Sequence, residues 1–247
     1  MNNNDLTQNP PIMNKNDLSQ DPAQDSEQDP AQDPAQEPSY PDQSISISLI
    51  LIITAIYFVV KYNKDKENII DFIIYGLALI LSQLFINLNL TNTVCGTNQW
   101  LTTTFVTFIP WILIFGFLNL MIIKFPGWLK PFSNTFGYGI VYTGVNNVLN
   151  KILDSNTTSE FTKILNESSN KALIINEIPP STEGFDEFYK TLLNPNATAA
   201  VADAALKEQL RKLIKLKNII AEFIWFSLTG ILTTLVSYHY IINSACL

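Results

Sequence analysis

Four stretches of the chain are apolar almost without interruption, and each is long enough to cross a membrane. They extend over residues 44–60, 72–90, 104–123 and 219–242. A helical bilayer crossing needs about 20 predominantly apolar residues. Trp100 precedes the third stretch, and Lys124 and Trp128 follow it, as aromatic and lysine anchors do at membrane interfaces. The pattern predicts an all-α membrane protein with four transmembrane helices.

A fifth stretch, residues 132–153, mixes apolar and polar positions at helical spacing. Its predicted apolar face comprises Phe132, Phe136, Ile140, Val145, Val148, Leu149 and Ile152. The opposite face carries Asn134, Thr143, Asn147 and Asn150. Such a pattern is typical of a helix that lies at the interface, re-enters the bilayer or packs against the bundle. A fifth crossing is the alternative, and it would move nine bases to the other side of the membrane.

Between the third and fourth crossings lies a polar insert, residues 154–218. Its composition predicts three helical pieces, at about 159–175, at about 183–193, and from 197 onward. The third piece continues into the fourth crossing without a helix breaker, so one helix should project from the membrane. Its bases are Lys207, Arg211, Lys212, Lys215 and Lys217. They could contact anionic headgroups, and ordinary anchoring next to the membrane is the alternative.

The first 43 residues differ sharply from the rest. They contain seven of the thirteen prolines and nine acidic side chains against one base, Lys15, a net charge of −8. Because the whole chain carries −7, the remaining residues carry +1. A segment so poor in apolar residues is predicted to be a disordered acidic tail. It is either a solvated spacer or a ligand for a basic partner.

The positions of the bases predict the orientation. Apart from Lys15, all bases fall within residues 61–66 or 124–217, and four crossings place these two segments on one side of the membrane. The positive-inside rule assigns that side to the cytosol. Both termini are therefore predicted to be non-cytosolic, and the insert cytosolic.

Four crossings also place the two cysteines on one side. Cys95 follows the second crossing and Cys246 is the penultimate residue. In an oxidising compartment they could form a disulfide. Free or lipidated thiols are the alternative, because a shared side does not establish proximity.

Polar residues within the apolar stretches are the remaining candidates for function. Gln83, Asn87 and Asn119 could hydrogen-bond between helices or face a transport pathway. Asp71 and Glu222 lie about one helical turn from the predicted interface, so we expect their carboxylates to reach water. We therefore expect the polar residues to hold the helices together more than to line a pore.

Composition excludes several classes of function. The chain has one histidine and two cysteines, and it lacks the usual catalytic and nucleotide-binding motifs, so we predict no enzyme activity, no cofactor and no metal site. The bases are scattered and outnumbered by acids, which disfavours nucleic-acid binding.

Two strings, GWLKPFSNTFGYGIV at residues 127–141 and SYHYIINSAC at residues 237–246, resemble membrane proteins of large nucleocytoplasmic DNA viruses of the mimivirus and phycodnavirus kind. The resemblance covers residues 95–153 and the C-terminal helix, and it includes no catalytic motif. It implies a multi-pass protein of a virion inner membrane derived from a host endomembrane, with other viral membrane proteins or minor capsid proteins as partners. The acidic repeat and the polar insert are not part of the resemblance.

Together these observations predict four regions: a tail at 1–43, a membrane domain at 44–153, a polar helical insert at 154–218, and the last crossing at 219–247. The predicted function is structural, anchoring a virion membrane to capsid or assembly partners. The alternative is a channel or small transporter formed by a homo-oligomeric helix bundle.

Overall fold

The structure is a computed structural model that describes residues 43–64, 68–97, 99–154, 168–179, 181–192, 204–243 and 246. The predicted acidic tail, except for Gln43, lies outside the described residues. Within the described ranges, all regular secondary structure is helical. The longer helices are α1 (Ser44–Asn63), α2 (Ile69–Cys95), α3 (Trp100–Lys124), α4 (Tyr138–Asp154), α5 (Ser168–Glu177), α6 (Thr182–Leu192) and α7 (Ala204–Asn243). Short helical turns at Pro126–Leu129, Lys130–Phe132 and Ser133–Gly137 form the segment before α4.

Four of these helices, α1, α2, α3 and α7, are long and apolar enough to cross a membrane. Their most apolar segments have mean hydropathies between 1.8 and 2.3. The predicted all-α membrane fold with four transmembrane helices is therefore confirmed. Helix α4 is not among the described helices that meet these criteria.

Contacts between the four long helices define an antiparallel bundle with two distinct ends. Lys61, near the C-terminus of α1, is paired with Glu222 of α7. At the opposite end Cys95, the last residue of α2, is bonded to Cys246, just after α7. We call these the basic end and the disulfide end.

Helix α3 accommodates a proline in its interior by changing its winding. Residues Trp100–Pro110 are α-helical, and the next six residues, Trp111–Gly116, form π-helical turns before the α-helix resumes. Proline has no N–H to donate and clashes with the preceding turn, so a local change in winding relieves the conflict. Trp111 and Phe115 of this segment are buried in the bundle.

A second group of helices packs beyond the basic end. Helices α4, α5 and α6 and the first part of α7, residues 204–217, share an apolar core, and we call this group the helical subdomain. Its fully or almost fully buried side chains are Val141, Val145, Leu149, Ile152, Ile175, Ile178, Phe185, Tyr189, Leu210 and Ile214. The described helices of the predicted insert thus share a core with α4.

This packing corrects the prediction for residues 132–153. The buried face of α4 is centred on Val141, Val145 and Leu149, whereas Phe136 and Ile140, which we placed on the apolar face, are 55% and 66% exposed. The helix packs against α7 and α5 and shares their apolar core. The spacing established a helix, but only the position of α7 determined which face is buried.

The insert helices lie close to their predicted positions. Helix α5 overlaps the predicted piece at 159–175, whose residues 159–167 lie outside the described residues. Helix α6 matches the predicted 183–193 within one residue at each end. Helix α7 runs from Ala204 to Asn243 without interruption, and the predicted start at 197 lies outside the described residues.

Gly137 sets the closest approach between the segment before α4 and α7. A Cβ atom at this position would clash with the backbone carbonyl oxygen of Lys217. Small residues allow helix backbones to approach in this way. The contact brings Asn134 and Lys217 within hydrogen-bonding distance.

Candidate functional site at the basic end

A cavity of about 810 Å³ opens where the bundle meets the helical subdomain. It lies between α1, α2, the C-terminal part of α3, the segment before α4, α5 and α7. Apolar side chains, including Tyr57, Phe72, Ile122 and Phe226, form part of its wall, and charged and amide side chains form the rest. Its size falls within the range of small-molecule sites, which is about 300–1,000 Å³.

Three ion pairs line this cavity. Lys61 Nζ lies 2.5 Å from Glu222 Oε2, and both side chains are less than a fifth exposed. Lys64 Nζ lies 2.6 Å from Asp71 Oδ2, closer to the surface. We expected the carboxylate of Glu222 to reach water. It is instead paired with Lys61 of α1 inside the bundle, and its side chain is only 13% exposed.

The third pair joins Lys130 to Glu177 across 3.8 Å, and both side chains are largely exposed. A pair this exposed contributes little to stability, about 0–1 kcal/mol. Its position at the rim shows where the polar part of the cavity meets solvent.

Lys217 also lines the cavity but, unlike Lys61, Lys64 and Lys130, forms no ion pair among the described residues. The residue is only 4% exposed, and its Nζ donates hydrogen bonds to Asn134 Oδ1 at 3.1 Å and to the carbonyl oxygen of Ile175 at 3.3 Å. Both acceptors are neutral, and no carboxylate of the described residues forms an ion pair with it. Headgroup contact by Lys217 stays a prediction, but α7 turns the side chain into the protein, so the contact cannot be made from the outer surface of the helix.

Two amide oxygens at the cavity lack a hydrogen-bond partner in the described structure. Asn119 is fully buried, and its Nδ2 donates to the carbonyl oxygen of Phe115, but its Oδ1 accepts no bond. Asn176 Oδ1 is likewise buried and unpaired. Leaving such an acceptor unsatisfied costs about 1–3 kcal/mol. Both residues line the cavity, and each carries one unsatisfied acceptor.

The other predicted polar residues form hydrogen bonds inside the bundle. Gln83 Oε1 accepts from Ser46 Oγ of α1 at 2.6 Å and from Thr234 Oγ1 of α7 at 3.4 Å. Asn87 Nδ2 donates to Thr107 Oγ1 of α3 at 2.8 Å. Gln83 and Asn87 are almost completely buried, and together they connect α2 to the other three long helices.

At the disulfide end the structure brings the two cysteines together. Cys95 and Cys246 form a disulfide with a Cα–Cα distance of 5.4 Å. The bond joins positions 151 residues apart and ties the C-terminus of α2 to the segment after α7. Of the alternatives left open by the sequence, the structure has the bonded form.

Four of the five bases predicted for headgroup contact remain near the surface of α7. Lys207 is paired with Asp186 of α6 at 2.7 Å. Arg211 and Lys212 lie 3.8 Å and 4.0 Å from Glu208 on their own helix. Lys215 Nζ donates to the carbonyl oxygen of Lys64 at 2.7 Å. Contact with headgroups stays a prediction for these four.

Sequence reasoning missed the cavity, and little in the sequence could have revealed it. Asn134 and Asn176 lie in polar stretches where an asparagine is unremarkable. The one usable signal was the presence of Lys61 and Glu222 at matching depths in the first and fourth apolar stretches, because opposite charges in a membrane tend to pair. Within the described ranges, no group of three or more His, Cys, Asp or Glu side chains could hold a metal ion.

No protein-family model, no curated protein and no solved structure matches the chain. The site therefore has to be interpreted from its own geometry.

Proposed function

We propose that the chain is a structural multi-pass membrane protein that anchors a membrane to protein partners through the helical subdomain. The observation that carries the proposal is the continuity of α7, which spans 40 residues from the subdomain core into the bundle. At 1.5 Å per residue this helix is about 60 Å long, twice the thickness of the hydrocarbon core of a bilayer.

Both halves of α7 are held firmly. Leu210 and Ile214 are buried in the subdomain core, and Phe226 is buried among the aromatic rings of the bundle. A load applied to the subdomain would pass directly to the transmembrane helices, since no loop separates them. This is the property that a membrane anchor requires.

The setting we propose is the inner membrane of a large DNA virus, with minor capsid or other viral membrane proteins as partners. The support is the resemblance of residues 127–141 and 237–246 to membrane proteins of such viruses. In this setting both termini would face away from the cytosol.

Amine-reactive crosslinking of purified particles, read out by mass spectrometry, tests this proposal. We expect Lys212, whose side chain is 64% exposed, to crosslink to another virion protein. The matched variant Lys212→Arg keeps the charge and removes the reactive amine, so it identifies crosslinks that start at this position. Particles that lack the chain would refute the viral setting, and crosslinks confined to the chain would refute the anchoring role.

The orientation has its own test. A membrane-impermeant maleimide should label Ser181→Cys from the cytosolic side and Ser26→Cys from the opposite side. The native cysteines are joined in a disulfide and do not compete for the reagent. Labelling of both positions from the same side would overturn the orientation.

The alternative is a channel or small transporter formed by a homo-oligomer. The feature that favours it is Asn119, whose buried side chain lines the cavity at the basic end. The bonds of Gln83 and Asn87 favour the structural role, because these side chains are engaged inside one bundle. An ion flux in proteoliposomes that Asn87→Leu abolished would replace the structural proposal.

A further inference from the structure

We propose that the cavity at the basic end binds one anionic phospholipid whose headgroup carries hydroxyl groups, of the phosphatidylinositol or phosphatidylglycerol class. The shared chemistry is a phosphate with neighbouring hydroxyls and an attached apolar chain. The inference goes beyond the anchoring function, and neither depends on the other.

The charge of the cavity favours an anion. Among the described residues that line it, four are bases and three are acids. The three acids pair with Lys61, Lys64 and Lys130, whereas Lys217 Nζ is hydrogen-bonded to two neutral acceptors and forms no ion pair among the described residues. An ammonium carries three donor hydrogens, so after its bonds to Asn134 and Ile175 Lys217 has one left for a phosphate oxygen. Basic pockets between transmembrane helices are known to bind lipid headgroups.

The unpaired oxygens of Asn119 and Asn176 favour a headgroup that also donates hydrogen bonds. A phosphate ester ionised at neutral pH offers acceptors only, so it could not satisfy these amides. Hydroxyl groups next to the phosphate can donate to both. A headgroup with an ammonium group would also donate, but it would bring a second cation into a cavity that is already positive.

The borders of the cavity favour a lipid over a free phosphate. Val60, Ile69 and Ile123 line the cavity and are 43%, 68% and 60% exposed, so the opening is flanked by the apolar outer surface of the bundle. Lys130 and Glu177, also in the lining, are exposed at the polar rim. An occupant that meets both surfaces must be amphipathic, as a phospholipid is.

Native mass spectrometry of the full chain in detergent micelles, titrated with defined lipids, tests the proposal. Phosphatidylinositol and phosphatidylglycerol should bind at least roughly tenfold more tightly than phosphatidylcholine, as expected for hydrogen bonds to a charged group. Phosphatidylserine, which is anionic but has no headgroup hydroxyl, should fall between them. Equal binding of phosphatidylserine and phosphatidylinositol would refute the role of the hydroxyls, and equal binding of all four lipids would refute the site.

Two variants, each of which removes one lysine charge, distinguish binding in the cavity from general attraction of the protein to anionic lipid. Lys217→Gln should reduce phosphatidylinositol binding by roughly tenfold or more, because it removes a buried charged donor. Lys212→Gln removes an exposed charge outside the cavity and should leave binding unchanged. Equal effects of the two variants would show that only surface charge is involved.

Asn119→Leu keeps the proposal falsifiable if Lys217→Gln disturbs folding. The substitution removes the unsatisfied oxygen with little change in volume, so it should raise the thermal unfolding temperature of the lipid-free protein. It should at the same time weaken phosphatidylinositol binding several-fold. A variant that is more stable and binds the lipid as well as the wild type would overturn the proposed role of this amide.

A competition experiment distinguishes a lipid phosphate from a soluble phosphate as the occupant of the cavity. Inorganic phosphate and inositol monophosphate, which lack an acyl chain, should fail to displace phosphatidylinositol at a hundredfold excess. Displacement by either soluble anion would mean that the cavity is an aqueous anion site, and the lipid proposal would then be wrong.

Discussion

The membrane bundle buries several polar side chains between its helices, whereas the core of the helical subdomain is apolar. In the bundle, Thr54, Gln83, Asn87, Thr107 and Thr233 are 3% exposed or less. In the subdomain the core is aliphatic and aromatic, with Val145, Leu149, Ile175 and Leu210 completely buried. Large apolar side chains such as Ile52, Ile56 and Leu113 are instead exposed on the outside of the bundle.

The difference follows from the solvent that each region meets. Lipid tails are as apolar as leucine, so burying leucine between transmembrane helices gains little, and close packing and hydrogen bonds hold the helices together. Burial of apolar surface away from water stabilises by about 25 cal/mol per Å², and the aliphatic and aromatic core of the subdomain is typical of that case. The same chain therefore uses two kinds of core, and α7 contributes to both.

The largest expected effect lies in the subdomain. Phe185→Ala removes a ring that is 1% exposed and stacks with Tyr189, and it should destabilise the subdomain by about 3–5 kcal/mol. Amide hydrogen exchange should become faster in α5 and α6 while α1 and α2 remain protected. Leu173→Ala, at a position that is 65% exposed, is the control and should have an effect within about 0.5 kcal/mol. Faster exchange throughout the bundle would show that the two cores do not unfold separately.

Removing the disulfide, at the other end of the molecule, should cause the next largest loss of stability. Replacing Cys95 and Cys246 together by serine should lower stability by about 2–4 kcal/mol, because the bond closes a long loop in the unfolded chain. Thermal unfolding in detergent measures the loss, and adding a reductant to the wild type should reproduce it. Two titratable thiols in the denatured, unreduced wild type would contradict the bonded form.

Breaking the more buried ion pair at the basic end should lower stability more than breaking the more exposed one. Glu222→Gln leaves Lys61 without its carboxylate in a mostly buried site and should cost about 1–3 kcal/mol. Asp71→Asn breaks the more exposed pair with Lys64 and should cost less than about 1 kcal/mol. Thermal unfolding of the two variants in the same detergent gives the comparison. Equal losses would mean that burial does not distinguish the pairs.

The smallest effect should come from the polar contacts of the bundle. Gln83→Leu removes hydrogen bonds to α1 and α7 and should cost about 0.6 kcal/mol, the average for such bonds between transmembrane helices. The converse change in the subdomain, Val145→Thr, should cost about 1–3 kcal/mol, because it buries a hydroxyl in an apolar core. Denaturation of each variant followed by circular dichroism ranks them. A larger loss for Gln83→Leu would reverse the proposed difference between the two cores.

Much of the candidate site could not be predicted from the sequence. Lys217 and Lys212 are both bases on the same predicted helix, yet one is buried under the segment before α4 and the other is exposed. Asn119 was recognised as a polar residue in an apolar stretch, but its unpaired oxygen depends on which atoms surround it. Such differences depend on the rotation of each helix about its axis, which neighbouring helices determine.

The sequence by itself determined the four transmembrane helices, because length and hydropathy are summed along one segment and need no partner. It also placed Cys95 and Cys246 on one side, since the number of crossings between them is even. Only the tertiary structure decided that the two sulfurs meet, that α4 packs with the insert, and that Lys61 pairs with a glutamate 161 residues away. Proximity across the chain results from the packing of helix faces, and hydropathy carries no information about which faces meet.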